Sequence, residues 1–328
     1  MKIENLIEAK SKTEIIDSFA IDILTGLSCS PKHIAAKYFY DDRGSELFQK
    51  ITLERDYYLT GKEFSILENI SNTMPELLKE SEIDVVELGV GDGHKSKLLI
   101  DGLLHHGSKV NYFPIDISER ALELLAENIN PQDRLAIQGV AADYFAGLSH
   151  VRTLSHNRQL VLFLGSNIGN FDHPQTLEFL QRLWKSLNEG DYVLIGFDLK
   201  KDIDVLVKAY NDEGGYTKQF NLNLLSRINR ELGGQFEIDR FKHYGFYNPL
   251  MGAMESYLVS LQKQDVYVSA IERSFHFEEY EAVHLEYSFK FLQNDIDRLA
   301  SETGFQVIKH FTDEEHYFID SLWKVIKN

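Results

Sequence analysis

Ile83-Asp-Val-Val-Glu-Leu-Gly-Val-Gly-Asp-Gly-His-Lys95 is the stretch that decides the fold. Val85 to Leu88 is a mostly apolar, β-branched run too short for a helix, and it breaks into glycines at alternate positions, Gly89, Gly91 and Gly93. Helical spacing resumes over Ser96 to Leu104 through Leu98, Leu99, Leu103 and Leu104. The order is therefore buried parallel strand, glycine loop, helix. Glycine serves where backbone must approach a ligand closely or take a positive φ, both of which a side chain would hinder.

Working outward, acidic residues mark the ends of the neighbouring strands. Glu87 lies one residue inside the first strand end. The run Val110 to Ile117 reads as a second strand and carries Asp116, placed for ribose hydroxyls. Leu135 to Val140 reads as a third, followed by Asp143, placed for an adenine edge. The phosphate-cradling Walker pattern is absent, so a pyrophosphate ligand is disfavoured. Carboxylates at successive strand ends suit a nucleoside that carries positive charge, and S-adenosylmethionine is one.

The chain has 328 residues, 43% of them hydrophobic, enough for one large or two modest domains. A formal net charge of −17 opposes encounter with nucleic acid or an anionic membrane, and no Lys/Arg run offsets it. Cys29 is the only cysteine, which excludes an intramolecular disulfide and a cysteine-based zinc site. His94, His105, His106 and His284 do not fall at metal-ligand spacing, so no metal is expected. With no signal-like N-terminus and no apolar stretch near twenty residues, the expectation is a cytoplasmic protein, monomeric, with a small molecule as partner.

In chain order, residues 1 to 30 show helical spacing (Ile3, Leu6, Ile7, Ile15, Ile16, Phe19, Ile23, Leu24, Leu27), which predicts one or two amphipathic helices ended by Pro31. Tyrosines then cluster in 37–52 and 56–60, beside Asp-Asp-Arg-Gly turn chemistry. Strands and helices alternate over 62–198. Within that span, Gln159-Leu-Val-Leu-Phe-Leu-Gly-Ser-Asn-Ile-Gly-Asn170 is a buried strand opening into a polar loop at the point where a doubly wound sheet reverses direction. Lys200 to Glu231 reads as polar helix. Phe236 to Phe246, Ala253 to Leu261, Val266 to Ala270 and Phe275 to Tyr280 read as an antiparallel sheet. A helix over 294–303 and a hairpin of Phe305 to Phe311 with Tyr317 to Ile326 return the chain to the first sheet.

Tyr-Phe-Tyr-Asp-Asp-Arg-Gly-Ser-Glu-Leu-Phe (38–48), Asp-Tyr-Tyr-Leu-Thr (56–60), Val-Glu-Leu-Gly (86–89), Phe-Leu-Gly-Ser-Asn-Ile-Gly-Asn-Phe (163–171) and Leu-Glu-Tyr-Ser-Phe-Lys-Phe (285–291) together resemble the histidine Nα-methyltransferase family of ergothioneine biosynthesis. The resemblance covers essentially the whole chain. It implies an α/β fold, a class I methyltransferase with a Rossmann-like doubly wound sheet and an antiparallel C-terminal hairpin, plus a second α+β substrate domain. The expected division is 62–198 with 289–328 for S-adenosylmethionine, and 1–61 with 199–288 for the substrate. Gly89, Lys95, Asp116 and Asp143 match the cofactor set, Lys95 for the methionine carboxylate. Tyr57, Gly165, Asn170, Tyr210, Glu286 and Ser288 match the amino-acid set, with Tyr40 orienting the reacting amine. Asn170 and Tyr210 are implied to bind the substrate carboxylate, Glu286 and Ser288 an imidazole. Ser256 departs from the pattern, in which a methionine packs on the ring.

The implied reaction is trimethylation of the α-amine of free L-histidine to a betaine. Methylation of another aromatic amino acid or a tryptophan derivative is the alternative within the class. A non-catalytic module that binds S-adenosylmethionine is the alternative outside it.

Overall fold

A computed structural model describes residues 1–7, 12–91 and 93–327, with only the backbone for 12–15. It divides into two compact units: Met1–Glu8, Leu59–Lys200 and Lys290–Asn328 form the first, Ala9–Tyr58 and Lys201–Phe289 the second. Among the described residues no helix is long and apolar enough to cross a membrane.

The first unit is built on an eight-stranded sheet in the order Lys2–Asn5, Leu135–Ala141, Lys109–Asp116, Glu82–Leu88, Arg158–Phe163, Tyr192–Asp198, Phe318–Val325, Phe305–Thr312. Only Phe318–Val325 runs against the others, pairing antiparallel with both neighbours. The sheet reverses direction between Glu82–Leu88 and Arg158–Phe163, where the expected fold class puts its ligand crevice. Central strands bury both faces, as parallel sheets covered by helices do. Val85, Val86 and Leu88 are fully buried, and each such side chain contributes roughly 1.5–3 kcal/mol relative to exposure. The carboxyl ends of the parallel strands share one edge, which carries Leu88, Asp116, Ala141, Phe163 and Asp198.

The second unit pairs Lys32–His33, Ala282–Phe289, Ala253–Ser260 and Phe241–Asn248 in that order, with a separate hairpin of Gln264–Val268 and Arg273–Phe277. Helices Lys12–Ser28, Asp42–Thr52 and Tyr216–Leu232 supply Phe19, Ile23, Leu47, Ile51, Phe220, Leu224 and Ile228 to its core.

Three expectations are corrected. Residues Lys2–Asn5 are a strand, pairing in parallel with Gln138–Ala141 at the edge of the first unit's sheet, so the opening segment belongs there and the helix is Lys12–Ser28. Sheet pairing overrides the apparent helical spacing of Ile3, Leu6 and Ile7; residues 8–11 of that reading lie outside the described residues. The polar helix of 200–231 is two helices, Ile203–Ala209 and Tyr216–Leu232, because Asp212 takes the amides of Tyr216 and Thr217 (2.7 and 2.8 Å) and starts a new one. The strand expected from Phe236 begins at Phe241, since Asn229 satisfies both the amide and the carbonyl of Phe236 (2.9 and 2.8 Å) in place of a ladder partner.

Candidate functional site

In the first unit the glycine loop leaves Leu88 with φ of +79°, +52° and +74° at Gly89, Gly91 and Gly93, a sequence of left-handed turns that L side chains resist. Two of the three are also short of space: a Cβ on Gly89 would stand 3.1 Å from the Tyr144 hydroxyl, and one on Gly93 would run into Leu125. Asp92 lies outside the described residues. The loop is tied down by the next strand end. Asp116 accepts the amide of Val90 at 3.2 Å through one oxygen and that of Ser118 at 2.8 Å through the other. Burial pushes the Asp116 carboxyl up, against the pull of these amides. Burial first, and the Asp116 charge second, push the Tyr144 phenol up to about 12.

Glu87 is part of this scaffold. It accepts from the buried Tyr112 hydroxyl, Ser96 Oγ lies 3.1 Å from that hydroxyl, and Ser96 donates to the Gly93 carbonyl at 3.1 Å. The chain of bonds runs from the strand end to the first helical turn of His94–His105 and holds the loop from beneath. Asp143 is the N-cap of helix Tyr144–Leu154, its Oδ1 accepting from Phe145 and Ala146 at 3.1 Å each. Lys95 is ion-paired with Glu63. Gly165 has φ +79° and donates its amide to the other oxygen of Glu63 at 2.6 Å, and Asn170 closes the same loop at the surface.

The structure thus places Gly89, Asp116, Asp143 and Lys95 along the carboxyl edge of one sheet. A carboxylate at each of two strand ends, a loop whose backbone is stripped of side chains and a lysine fit the donor and acceptor set of a cationic nucleoside with a free amino-acid tail. Tyr144 and Glu63 were not legible as site residues. Tyr144 follows the strand-end acid directly. Glu63 falls on the apolar stripe Leu59, Ile66, Leu67, Ile70 of helix Tyr58–Ile70, and an acid at a core position of an amphipathic helix is the signal that points to it.

In the second unit, Ser256 pairs directly with Glu286 on one side and with Gly245 on the other, so the three form one row across the sheet. Gly245 lacks a side chain because the backbone of Tyr210 passes over it: a Cβ there would lie 3.2 Å from the Tyr210 carbonyl. The Tyr210 hydroxyl donates to Ser288 Oγ at 2.7 Å, and the Tyr210 carbonyl accepts from His243 Nε2 at 3.1 Å. His243 takes the Asn221 amide on Nδ1, and burial holds its pKa down, so it is a neutral clamp. Tyr210, which the resemblance puts at the substrate carboxylate, and Ser288, put at the imidazole, are therefore bonded to each other.

Alternation along Ala282–Phe289 is broken by a β-bulge between His284 and Glu286. His284 packs on Tyr257 and Tyr287 on the sheet's other face, whereas Glu286 and Ser288 fall on the face of Ser256. Tyr40 and Tyr57 meet the same phenylalanine edge-on: the rings of Tyr40 and Phe48 are 5.6 Å apart and those of Tyr57 and Phe48 6.3 Å. Tyr40 remains 50% exposed. The segment that carries it is anchored by Asp41, which caps Asp42–Thr52 through the Gly44 amide (2.7 Å) and receives Asn223 (2.7 Å) and Arg230 (2.5 Å) from helix Tyr216–Leu232.

Residues 19–325 match a family model described as histidine-specific methyltransferase, SAM-dependent. A protein of Mycobacterium tuberculosis (strain CDC 1551 / Oshkosh) named histidine N-alpha-methyltransferase is 35% identical over 294 residues, covering 89% of this chain and 90% of its own. One of the same name from Mycolicibacterium smegmatis (strain ATCC 700084 / mc(2)155) is 33% identical over 316 residues, covering 95% and 96%. Among solved structures, mitomycin 7-O-methyltransferase MmcR aligns at 10% identity and a TM-score of 0.45 over 98% of this chain and 74% of that one.

Proposed function

The chain belongs to the family of histidine-specific, S-adenosylmethionine-dependent methyltransferases, and we propose that it methylates the α-amine of free L-histidine to the N,N,N-trimethyl betaine. The observation that carries the histidine reading is the row Gly245, Ser256, Glu286 with Ser288 and Tyr210 on the same sheet face: a carboxylate flanked by hydroxyls, at a place where an imidazole N–H has an acceptor.

In this reading Gly89, Asp116, Asp143 and Lys95 hold S-adenosylmethionine in the first unit, Asp116 at the ribose and Asp143, through its non-capping oxygen, at adenine. Tyr57, Tyr210, Ser256, Glu286 and Ser288 of the second unit hold histidine. Gly165 and Asn170, on the loop after strand Arg158–Phe163, are assigned to the substrate carboxylate in the same reading, Asn170 through its side-chain amide. Bound, the cofactor supplies an electrophilic methyl group on a sulfonium. The chain's task is to present a neutral amine in line with it. An α-amino group has a pKa of about 8, so deprotonation near neutral pH costs only about 1.4 kcal/mol. Tyr40 orients the amine through its hydroxyl, and the aromatic surroundings of Tyr40, Tyr57 and Phe48 disfavour the ammonium form by desolvation while offering ring faces to the growing methylammonium. Positioning supplies most of the acceleration. The protein acts as a monomeric cytoplasmic enzyme on a small molecule, without nucleic acid, in keeping with its charge of −17.

The test is a competition assay with equal histidine, tryptophan, tyrosine and phenylalanine, with the products identified by mass. Histidine is expected to be methylated first. Ser256 leaves more room beside the ring than a methionine would, so preferential methylation of tryptophan would move the assignment to an indole substrate within the same class.

A further inference from the structure

Glu63 is wholly buried on a helix whose other inward residues are apolar, a position that costs stability unless the charge is fully used. Both of its oxygens are. Oε2 pairs with Lys95 at the start of helix His94–His105, and Oε1 accepts the amide of Gly165, 2.6 Å away, from the loop after strand Arg158–Phe163. The neighbouring strand makes room, since any Cβ on Gly196 would run into Glu63 Oε1. Ser166, next to Gly165, is fixed from the other side by the Asp198 amide, which donates to its Oγ at 2.9 Å. One further acid faces the pair: Asp320 is fully buried, and neither of its oxygens has a hydrogen-bond partner among the described residues. Burial first, and the Glu63 charge second, push the Asp320 carboxyl up, against the pull of the Lys95 charge.

We propose that Glu63 is a positioning residue: by holding Lys95 and the Gly165 amide on one buried carboxylate, it sets the lysine ammonium and the Gly165 loop in the register that receives the amino-acid tail of the cofactor. The inference rests on the reading that Lys95 meets the methionine carboxylate. A long lysine side chain loses rotamer freedom on binding, and a partner that orders it beforehand removes that cost from the binding step. The consequence is selective. Glu63 acts on ligands that carry the methionine carboxylate and leaves those that lack it untouched.

Two nucleosides separate this from a general structural role: S-adenosylhomocysteine, which has the amino-acid tail, and 5′-methylthioadenosine, which does not. Titration calorimetry on the full chain is expected to show wild type binding both. Glu63→Gln keeps an acceptor for Gly165 but turns a donor toward Lys95; it is expected to weaken S-adenosylhomocysteine about tenfold and 5′-methylthioadenosine less than about twofold, the loss expected of one charge-assisted contact. Lys95→Met should give the same pattern, and the double variant should be no worse than either single one. Should Glu63→Gln fail to fold, Glu63→Asp, which keeps the charge but is one methylene too short to reach both partners, carries the same ratio test. Equal weakening of both nucleosides, or no change in either, overturns the proposal. Failure of wild type to bind either nucleoside would instead overturn the cofactor reading beneath it.

Discussion

The two units present their candidate residues in opposite ways. In the first, the candidate cofactor surface is made chiefly of backbone at the ends of parallel strands: positive-φ glycines, amides held by Asp116, and a helix capped by Asp143. In the second it is made of side chains on the face of an antiparallel sheet, drawn from three strands and a helix end. The difference follows from what is recognised. A ligand that many proteins share can be met by backbone geometry encoded in a dozen consecutive residues. A particular amino-acid side chain needs complementary groups, and those come together only through long-range pairing.

The largest effect expected from this contrast is in the second unit. Glu286→Ala should lower kcat/KM for histidine by roughly 2–3 kcal/mol, the loss of a hydrogen bond to a charged group, while leaving S-adenosylhomocysteine affinity unchanged. Steady-state kinetics beside calorimetry would show it. A matching loss of nucleoside binding would break the separation between the two surfaces.

A smaller and reciprocal effect is expected in the first unit. Gly93→Ala places a Cβ at φ +74° against Leu125, so it should weaken S-adenosylhomocysteine and lower thermal stability by roughly 1–2 kcal/mol together. Gly91→Ala has the same kind of φ but open space around its Cβ, and should lose less on both counts.

The smallest effect sharpens the comparison by asking how firmly the tyrosine segment is held. Burial opposes ionisation of Asp41, but the Gly44 amide, Arg230 and Asn223 together hold its carboxyl below the usual range. A depressed carboxylate pKa contributes stability above its unfolded value and loses it as pH falls through the folded value. Asp41→Ala should therefore cost about 1 kcal/mol at pH 7, the worth of an N-cap, with the gap to wild type closing as pH drops below about 3.9. Chemical denaturation at pH 7 and pH 3 gives the two differences; a gap that does not shrink would show that the charge of Asp41 plays no part.

What could be read directly was local. The strand, the glycine turn and the helix of 83–104 follow from short-range rules, because strand length, β-branching and the need for positive φ act within a few residues. The doubly wound class and the closing hairpin followed from the alternation of elements. Where reading failed, a distant partner had decided. Lys2–Asn5 has the spacing of a helix but pairs with Gln138–Ala141. Phe236 is withheld from a strand by the side chain of Asn229.

The sequence by itself determined the doubly wound sheet, the glycine loop and the identity of the acids at its strand ends, since each depends on the conformational preferences of neighbouring residues. Tertiary structure alone decided which way Glu286 and Ser288 point: strict alternation would set them on the face of His284, and the bulge between His284 and Glu286 moves them to that of Ser256. It also decided that Glu63, hidden on an apolar stripe, reaches both Lys95 and Gly165. A bulge is defined by the strand it pairs with, and a buried charge by the partners folding brings to it, so neither exists until segments far apart in the chain have met.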